Sequence, residues 1–120
     1  MEITVSDLDG TASGGADSAG AAKKVTLVGR LDILGAEKIG LPLAGTRGNV
    51  VVDMVGVDFI ASIGIRHLVM AAKAVARGSG KLVLLDPTPM VTEVLVVAGL
   101  DQLLPIVRSE DEARAAFGGA

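Results

Sequence analysis

The sequence predicts an α/β fold in which helices pack against a mostly parallel central sheet. Three observations carry this reading. Asn49–Met54 and Lys81–Leu85 are near-continuous aliphatic runs, as strands buried on both faces require. Each is followed by a stretch that can form a helix, the first of them strongly periodic. Strands and helices therefore alternate, and right-handed crossovers then join parallel strands.

The elements follow in order. Glu2–Ser6 alternates polar and apolar, as a short edge strand does. Gly10–Ala22 is rich in Gly, Ala and Ser, with Asp17 its only charge, and reads as a flexible, low-complexity loop. It either joins two strands of an extended hairpin or leaves residues 1–9 loosely attached. Lys24–Gly29 is a strand with Val25 and Leu27 apolar. Ile33–Leu43 reads as a helix, weakened at its end by Pro42. Asn49–Met54 is the buried strand, and a loop over 54–61 is expected to leave its carboxyl end. Ile63–Arg77 is the strongest helix. Ile65, Leu68, Val69, Ala72, Val75 and Ala76 follow the helical spacing, and Gly78-Ser-Gly80 stops it. After Lys81–Leu85, Thr88 is an N-cap and Pro89 the first residue of a helix to about Ala98. Leu103–Val107 is a last short strand, held to an edge by Pro105. Ser109-Glu-Asp-Glu112 is a capping box opening a helix to about Phe117. The order β-β-α-β-α-β-α-β-α contains no internal repeat. It is read as one domain over 1–120, with its core at about 24–117 and the flexible loop at 10–23.

Composition narrows the function classes. With 120 residues, half of them hydrophobic and 21% charged, the chain suffices for one folded domain. A net charge of −3 and only two aromatic residues, both Phe, argue against nucleic acid as a partner. With no cysteine, disulfides, thiolate zinc sites and cysteine nucleophiles are excluded. The N-terminus lacks the basic and apolar regions of a signal peptide, and no apolar run approaches the roughly 18 residues of a membrane helix. A cytoplasmic protein with no direct membrane insertion is expected. There is no phosphate-loop motif, no Ser/His/Asp triad and only one histidine, so a binding protein without cofactors is expected rather than an enzyme.

In parallel sheets ligands gather at the carboxyl ends of the strands. Asp53, Asp58 and Ser62 are therefore expected near one rim, with Asp53 ending its strand. Ser62 stands where a helix begins. The residues alone leave two roles open: a helix N-cap, or a hydroxyl placed where a helix start favours an anion. Asp32 and Asp58 are either turn residues or partner contacts. Ile63, Arg66, His67, Met70, Lys73 and Arg77 fall largely off the apolar stripe of the long helix and form a candidate docking face.

Two segments, Leu27-Val-Gly-Arg-Leu-Asp32 and Val50-Val-Val-Asp-Met-Val-Gly-Val-Asp-Phe-Ile-Ala-Ser-Ile-Gly-Ile65, resemble the STAS domain of bacterial anti-sigma factor antagonists. Gly80-Lys-Leu-Val-Leu84, Val94–Leu100 and Ser109–Ala115 extend the resemblance over about Val25–Phe117. It implies a small α/β sandwich with a partner-switching role. Such an antagonist binds an anti-sigma factor that is also a serine kinase with a GHKL-type ATP site, and so frees the sigma factor. The kinase then phosphorylates a serine at the start of the second helix, which releases the antagonist. A PP2C-type phosphatase restores it. By position the serine is Ser62. The partner-binding surface is expected to comprise Asp32, Asp58, Ala61, Ile63, Gly64, Arg66, His67, Met70 and Lys73, with Gly64 leaving space for the approaching kinase. The family pattern is Asp-Ser-(Ser/Thr/Ala)-Gly, whereas this chain reads Ala61-Ser62-Ile63-Gly64: the serine is kept and the preceding acid is not. The alternative is a STAS binding subunit of a transporter or scaffold complex that is never phosphorylated.

Overall fold

Five strands form one sheet in the order of the sequence: β1 (Glu2–Asp7), β2 (Ala22–Leu31), β3 (Asn49–Ile60), β4 (Leu82–Leu85) and β5 (Ile106–Val107). The computed structural model describes residues 2–7, 22–32, 48–77 and 80–117. The helix expected over Ile33–Leu43, the loop up to residue 21 and the Gly78-Ser79 stop lie outside the described residues. β1 runs antiparallel to β2, with Glu2 opposite Val28 and Asp7 opposite Lys23, so the extended-hairpin arrangement holds. All other strand pairs are parallel. The helices are α1 (Ser62–Arg77), α2 (Pro89–Val97) and α3 (Glu110–Ala116).

The sheet has two apolar faces because β4 and the Val50–Val52 run of β3 are aliphatic at consecutive positions. Val50, Val52, Met54, Leu82 and Leu84 pack in one cluster with Leu68, Ala71 and Val75 of α1 and Val91 and Leu95 of α2. Val51, Val83, Leu85 and Val107 form a second cluster on the opposite face, closed by Ala113 of α3. The buried stripe of α1 is Gly64, Leu68, Ala71 and Val75. Of the positions expected from periodicity, Leu68 and Val75 are buried, Ile65, Val69 and Ala72 pack at the margin, and Ala76 is exposed.

Local signals were decisive at two helix starts. Thr88 Oγ1 accepts from the N–H of Val91, and Pro89 occupies the first helical position. Ser109 Oγ accepts from the N–H of Glu112, whose carboxylate in turn accepts from the N–H of Arg108 at 2.8 Å. Each cap satisfies N–H groups that the helix itself leaves unpaired.

Three expectations are corrected. β2 runs from Ala22 to Leu31, two residues longer at each end than the strand expected over Lys24–Gly29, because residues 22 and 23 already pair with Asn49 and Val50 and residues 30 and 31 with Phe59 and Ile60. The predicted strand Leu103–Val107 shrinks to Ile106–Val107. Gly99, at φ 81°, ends α2, a 3-10 turn follows over Leu100–Gln102, and the N–H groups of Leu103 and Leu104 return to the carbonyl of Leu100. Most importantly, residues 54–60 are not a loop. β3 continues to Ile60, and Val28, Gly29, Arg30 and Leu31 pair with Gly56, Val57, Phe59 and Ile60. Two register shifts interrupt this ladder, the second beside Gly29 at φ 118°, a conformation that glycine adopts without strain. Each extra residue in β3 resets its alternation. Val50, Val52, Met54, Val57 and Ile60 can therefore all face the same core although their spacing is not two throughout.

The sheet is tied to α3 by Lys24. Its Nζ lies 2.8 Å from Glu110 Oε2 and 3.6 Å from Asp53 Oδ2. The hydrogen bond to Glu110 leads the causes that hold the Lys24 ammonium above its ordinary pKa of 10.5. A raised folded-state value means the stabilisation is full below the unfolded pKa and is lost as pH rises through the folded one. We predict that Lys24→Met lowers unfolding stability by about 1 kcal/mol at neutral pH. The gap to the parent protein should narrow as pH rises past 10.5 in denaturant titrations. A gap independent of pH would show that packing of the lysine stem, not its charge, is what matters.

A second prediction concerns Gly64. A Cβ there would sit 2.6 Å from the carbonyl oxygen of Leu31 and 2.7 Å from its Cγ. Ala favours a helix over Gly by about 1 kcal/mol, yet here overpacking against backbone costs roughly 1–3 kcal/mol. Gly64→Ala should therefore destabilise the fold in chemical unfolding, and a stabilised variant would contradict the close approach.

Candidate functional site

Because β2 and β3 are parallel, their carboxyl ends and the start of α1 meet at one rim. Leu31 pairs with Ile60, and its carbonyl accepts the N–H of Ala61 at 3.0 Å. The carbonyl of Ala61 accepts the N–H of Ile65 at 3.1 Å, the first intrahelical bond. Ala61 thus holds the N-cap position and has no side-chain oxygen to cap with. Ser62 is the first helical residue, one position past the cap role considered from sequence. It is exposed, and among the described residues its hydroxyl has no hydrogen-bond partner. The N–H groups of Ser62, Ile63 and Gly64 precede the first intrahelical bond, and the first turn carries no acid. A negative group on Ser62 would meet unpaired donors and the positive end of the helix.

The rim gathers several expected residues. Asp32 follows β2 directly, while Asp58 and Ala61 flank the end of β3. Asp58 is exposed, whereas Ala61 and Asp32 are half-covered. Asp53 is not among them. It sits inside β3 opposite Thr26, seven residues before the strand ends. Its carboxylate accepts from the N–H of Val55 at 3.0 Å and pairs with Lys24. Its expected place at the rim and at a strand end is thereby corrected.

The outer face of α1 carries Ser62, Arg66, Met70, Lys73 and Arg77, all exposed, with Met70 at 57% of its full accessibility. Ile63 and His67 are half-buried and flank this face. α1 holds three basic residues, Arg66, Lys73 and Arg77, with His67 beside Arg66, and no acidic residue. Gly64 is buried against Leu31, so it does not contribute surface to a partner. Its role is to let α1 approach β2, which corrects the expectation that it leaves room for an incoming kinase.

Sequence reading missed Arg30 and Phe59. The Arg30 guanidinium lies 4.2 Å from the centre of the Phe59 ring, and its Nε is 3.5 Å from Asp32 Oδ2. These two residues face each other only because Arg30 pairs with Phe59 across the shifted ladder. Continuing the alternation of β2 beyond Leu27 would have placed Arg30 on the face away from α1. Its partner follows only from the register.

Comparison with known proteins agrees with this architecture. SpoIIAA in its unphosphorylated form superposes with a TM-score of 0.70 at 22% identity, covering 82% of this chain and 90% of that one. The phosphorylated form of the Bacillus protein gives 0.60 at 19% identity, over 79% and 90%. An anti-sigma factor antagonist from Mycobacterium paratuberculosis gives 0.71 at 21% identity, over 97% and 94%. In sequence, the chain is 37% identical over 68 residues to BtrV of Bordetella bronchiseptica, a protein proposed as an anti-sigma factor antagonist. That match spans 57% of this chain and 59% of BtrV. The model of the STAS domain family matches residues 16–113. A five-stranded sheet of this order, the helix start at Ser62 and this match together establish that the chain belongs to the STAS domain family.

Proposed function

We propose that this protein is an anti-sigma factor antagonist: a regulatory binding protein, not an enzyme, switched by phosphorylation of Ser62. The observation that carries the reading is the exposed hydroxyl of Ser62, without a hydrogen-bond partner among the described residues, on a first turn of α1 that carries no acid. Solved structures of SpoIIAA in unphosphorylated and phosphorylated forms support it by likeness of fold.

In this reading the unphosphorylated protein docks through the rim and the outer face of α1, using Asp32, Asp58, Ala61, Ile63, Arg66, His67, Met70 and Lys73. The partner is an anti-sigma factor with GHKL-type serine kinase activity. A serine hydroxyl alone is a poor nucleophile. The kinase supplies the base, the nucleotide and the metal, and this chain supplies the hydroxyl and its placement. Phosphate adds about −1.5 to −2 charges. At an exposed helix start the added charge is favoured by about 0.3–1 kcal/mol, so the phosphorylated domain stays folded. In an interface fitted to a neutral serine the same charge is repelled or desolvated. Asp58, exposed at the end of β3, and Asp32, paired with Arg30, give the rim two carboxylates to which the phosphate adds like charge. A PP2C-type phosphatase returns the protein to its binding form.

The second reading, a STAS binding subunit that is never phosphorylated, is favoured by one observation: Ala61 at the N-cap in place of the family's acid. Incubation with the cognate kinase and ATP separates the two. The parent protein should gain one phosphate and Ser62→Ala none, as read by intact mass. Absence of phosphate on the parent, or equal labelling of the variant, would favour the second reading. Ala61→Asp adds a side-chain cap and a negative charge beside the hydroxyl. It should change the rate of phosphorylation or of dephosphorylation in the same assay, and unchanged rates in both steps would show the acid to be dispensable.

A further inference from the structure

The β2–β3 ladder outruns its neighbour. β4 pairs with β3 only from Val50 to Asp53, while β3 continues to Ile60. Past Asp53, the edge of β3 that β4 had covered has no strand partner among the described residues. Met54–Ile60 offers an open edge about 23 Å long at roughly 3.3 Å per residue. The N–H of Val55 is taken by the Asp53 carboxylate rather than by a strand. Beside this edge lies a groove of about 770 Å³ between β3 and α2, walled by Val55, Pro87, Val96 and Val97. Val55, Val96 and Val97 are 56%, 47% and 82% exposed and line this one groove together.

We infer that this edge and groove form a β-augmentation site for an extended segment of a partner protein, carrying apolar residues at alternate positions and at least one basic residue. The open edge dictates the extended backbone, since only a strand can satisfy a row of peptide groups. The valine wall dictates the apolar side chains. The charges dictate the basic residue. The charged groups that line the groove are Asp86, Glu93 and Arg108. Arg108 is already engaged, donating from Nη1 to Asp86 Oδ1 at 3.2 Å and to the Pro87 carbonyl at 3.0 Å. Glu93 has no ion pair among the described residues, nor has Asp58, exposed on the open strand itself. A second copy of the chain is the poorer occupant. Two-fold pairing of β3 edges would bring both copies' Asp58 and Glu93 into one interface, with Arg108 already engaged by Asp86 and Pro87. The site does not depend on Ser62, so it stands or falls separately from the phosphorylation switch.

The probe is a synthetic peptide, acetyl-Lys-Val-Thr-Val-Lys-Val-Thr-Val-amide, titrated into the full chain and followed by amide NMR and hydrogen exchange. The expected result is saturable binding that shifts and protects amides within Val55–Ile60 and leaves those of β4 unchanged. N-methylation of alternate peptide nitrogens should abolish it. Replacing the peptide lysines by glutamate should weaken it several-fold. Val55→Lys, a surface change that puts a charge on the edge, should weaken it at least about tenfold. Absence of binding, binding indifferent to N-methylation or to Val55→Lys, or protection that appears with rising protein concentration alone would each overturn the proposal, the last in favour of self-association.

Discussion

Helix α1 lies as close to the end of β2 as it does because Gly64 has no side chain. The carbonyl of Leu31, at the end of β2, reaches forward to hold the N–H of Ala61. The same oxygen would meet any Cβ at position 64 at 2.6 Å. One peptide group thus anchors the residue before the helix and sets how closely the first turn can lie against the sheet. Leu31 itself is fixed by its place at the end of the β2–β3 ladder, opposite Ile60. The position of Ser62 follows from this chain of contacts rather than from any hydrogen bond of its own.

That arrangement separates support from chemistry. Among the described residues, what locates Ser62 is backbone and buried aliphatic side chain, and its hydroxyl is exposed and without a partner. A phosphate there would disturb no hydrogen bond among the described residues, yet it would add charge near Asp32, Asp58 and the basic outer face of α1. A switch that changes binding without changing the fold needs this division. The tie from Lys24 to Glu110 lies on the opposite side of the sheet, where α3 closes the second core. Loss of that tie should therefore loosen α3 without moving the rim.

Much of this was legible in the sequence, for reasons that differ by element. The caps at Thr88 and Ser109 are local, and a residue and its hydrogen-bond partner lie within three positions. The buried strands at Asn49 and Leu82 show as aliphatic runs because both faces of the sheet are covered. The extension of β3 was hidden because two irregularities break the period of two, so Val57 and Ile60 looked like loop residues although both are buried. Arg30 and Phe59 were hidden because their contact depends on a register that no local pattern encodes. Gly64 was noticed but given the wrong reason, since a sequence does not tell a glycine that opens a surface from one that closes a gap. Ser62 was singled out by resemblance and by its place before an amphipathic stretch, and in the structure it is the first residue of α1 rather than its cap.

The central claim is that charge on Ser62 controls binding while the fold stays the same. Its most direct test is calorimetric titration of the cognate anti-sigma kinase, without ATP, with the unphosphorylated protein and with the protein phosphorylated on Ser62. Thermal unfolding of both forms should be recorded alongside. The account predicts an affinity loss of at least about 100-fold, or roughly 3 kcal/mol, with nearly equal unfolding midpoints. Equal affinities for the two forms, or loss of binding that tracks loss of structure, would contradict it.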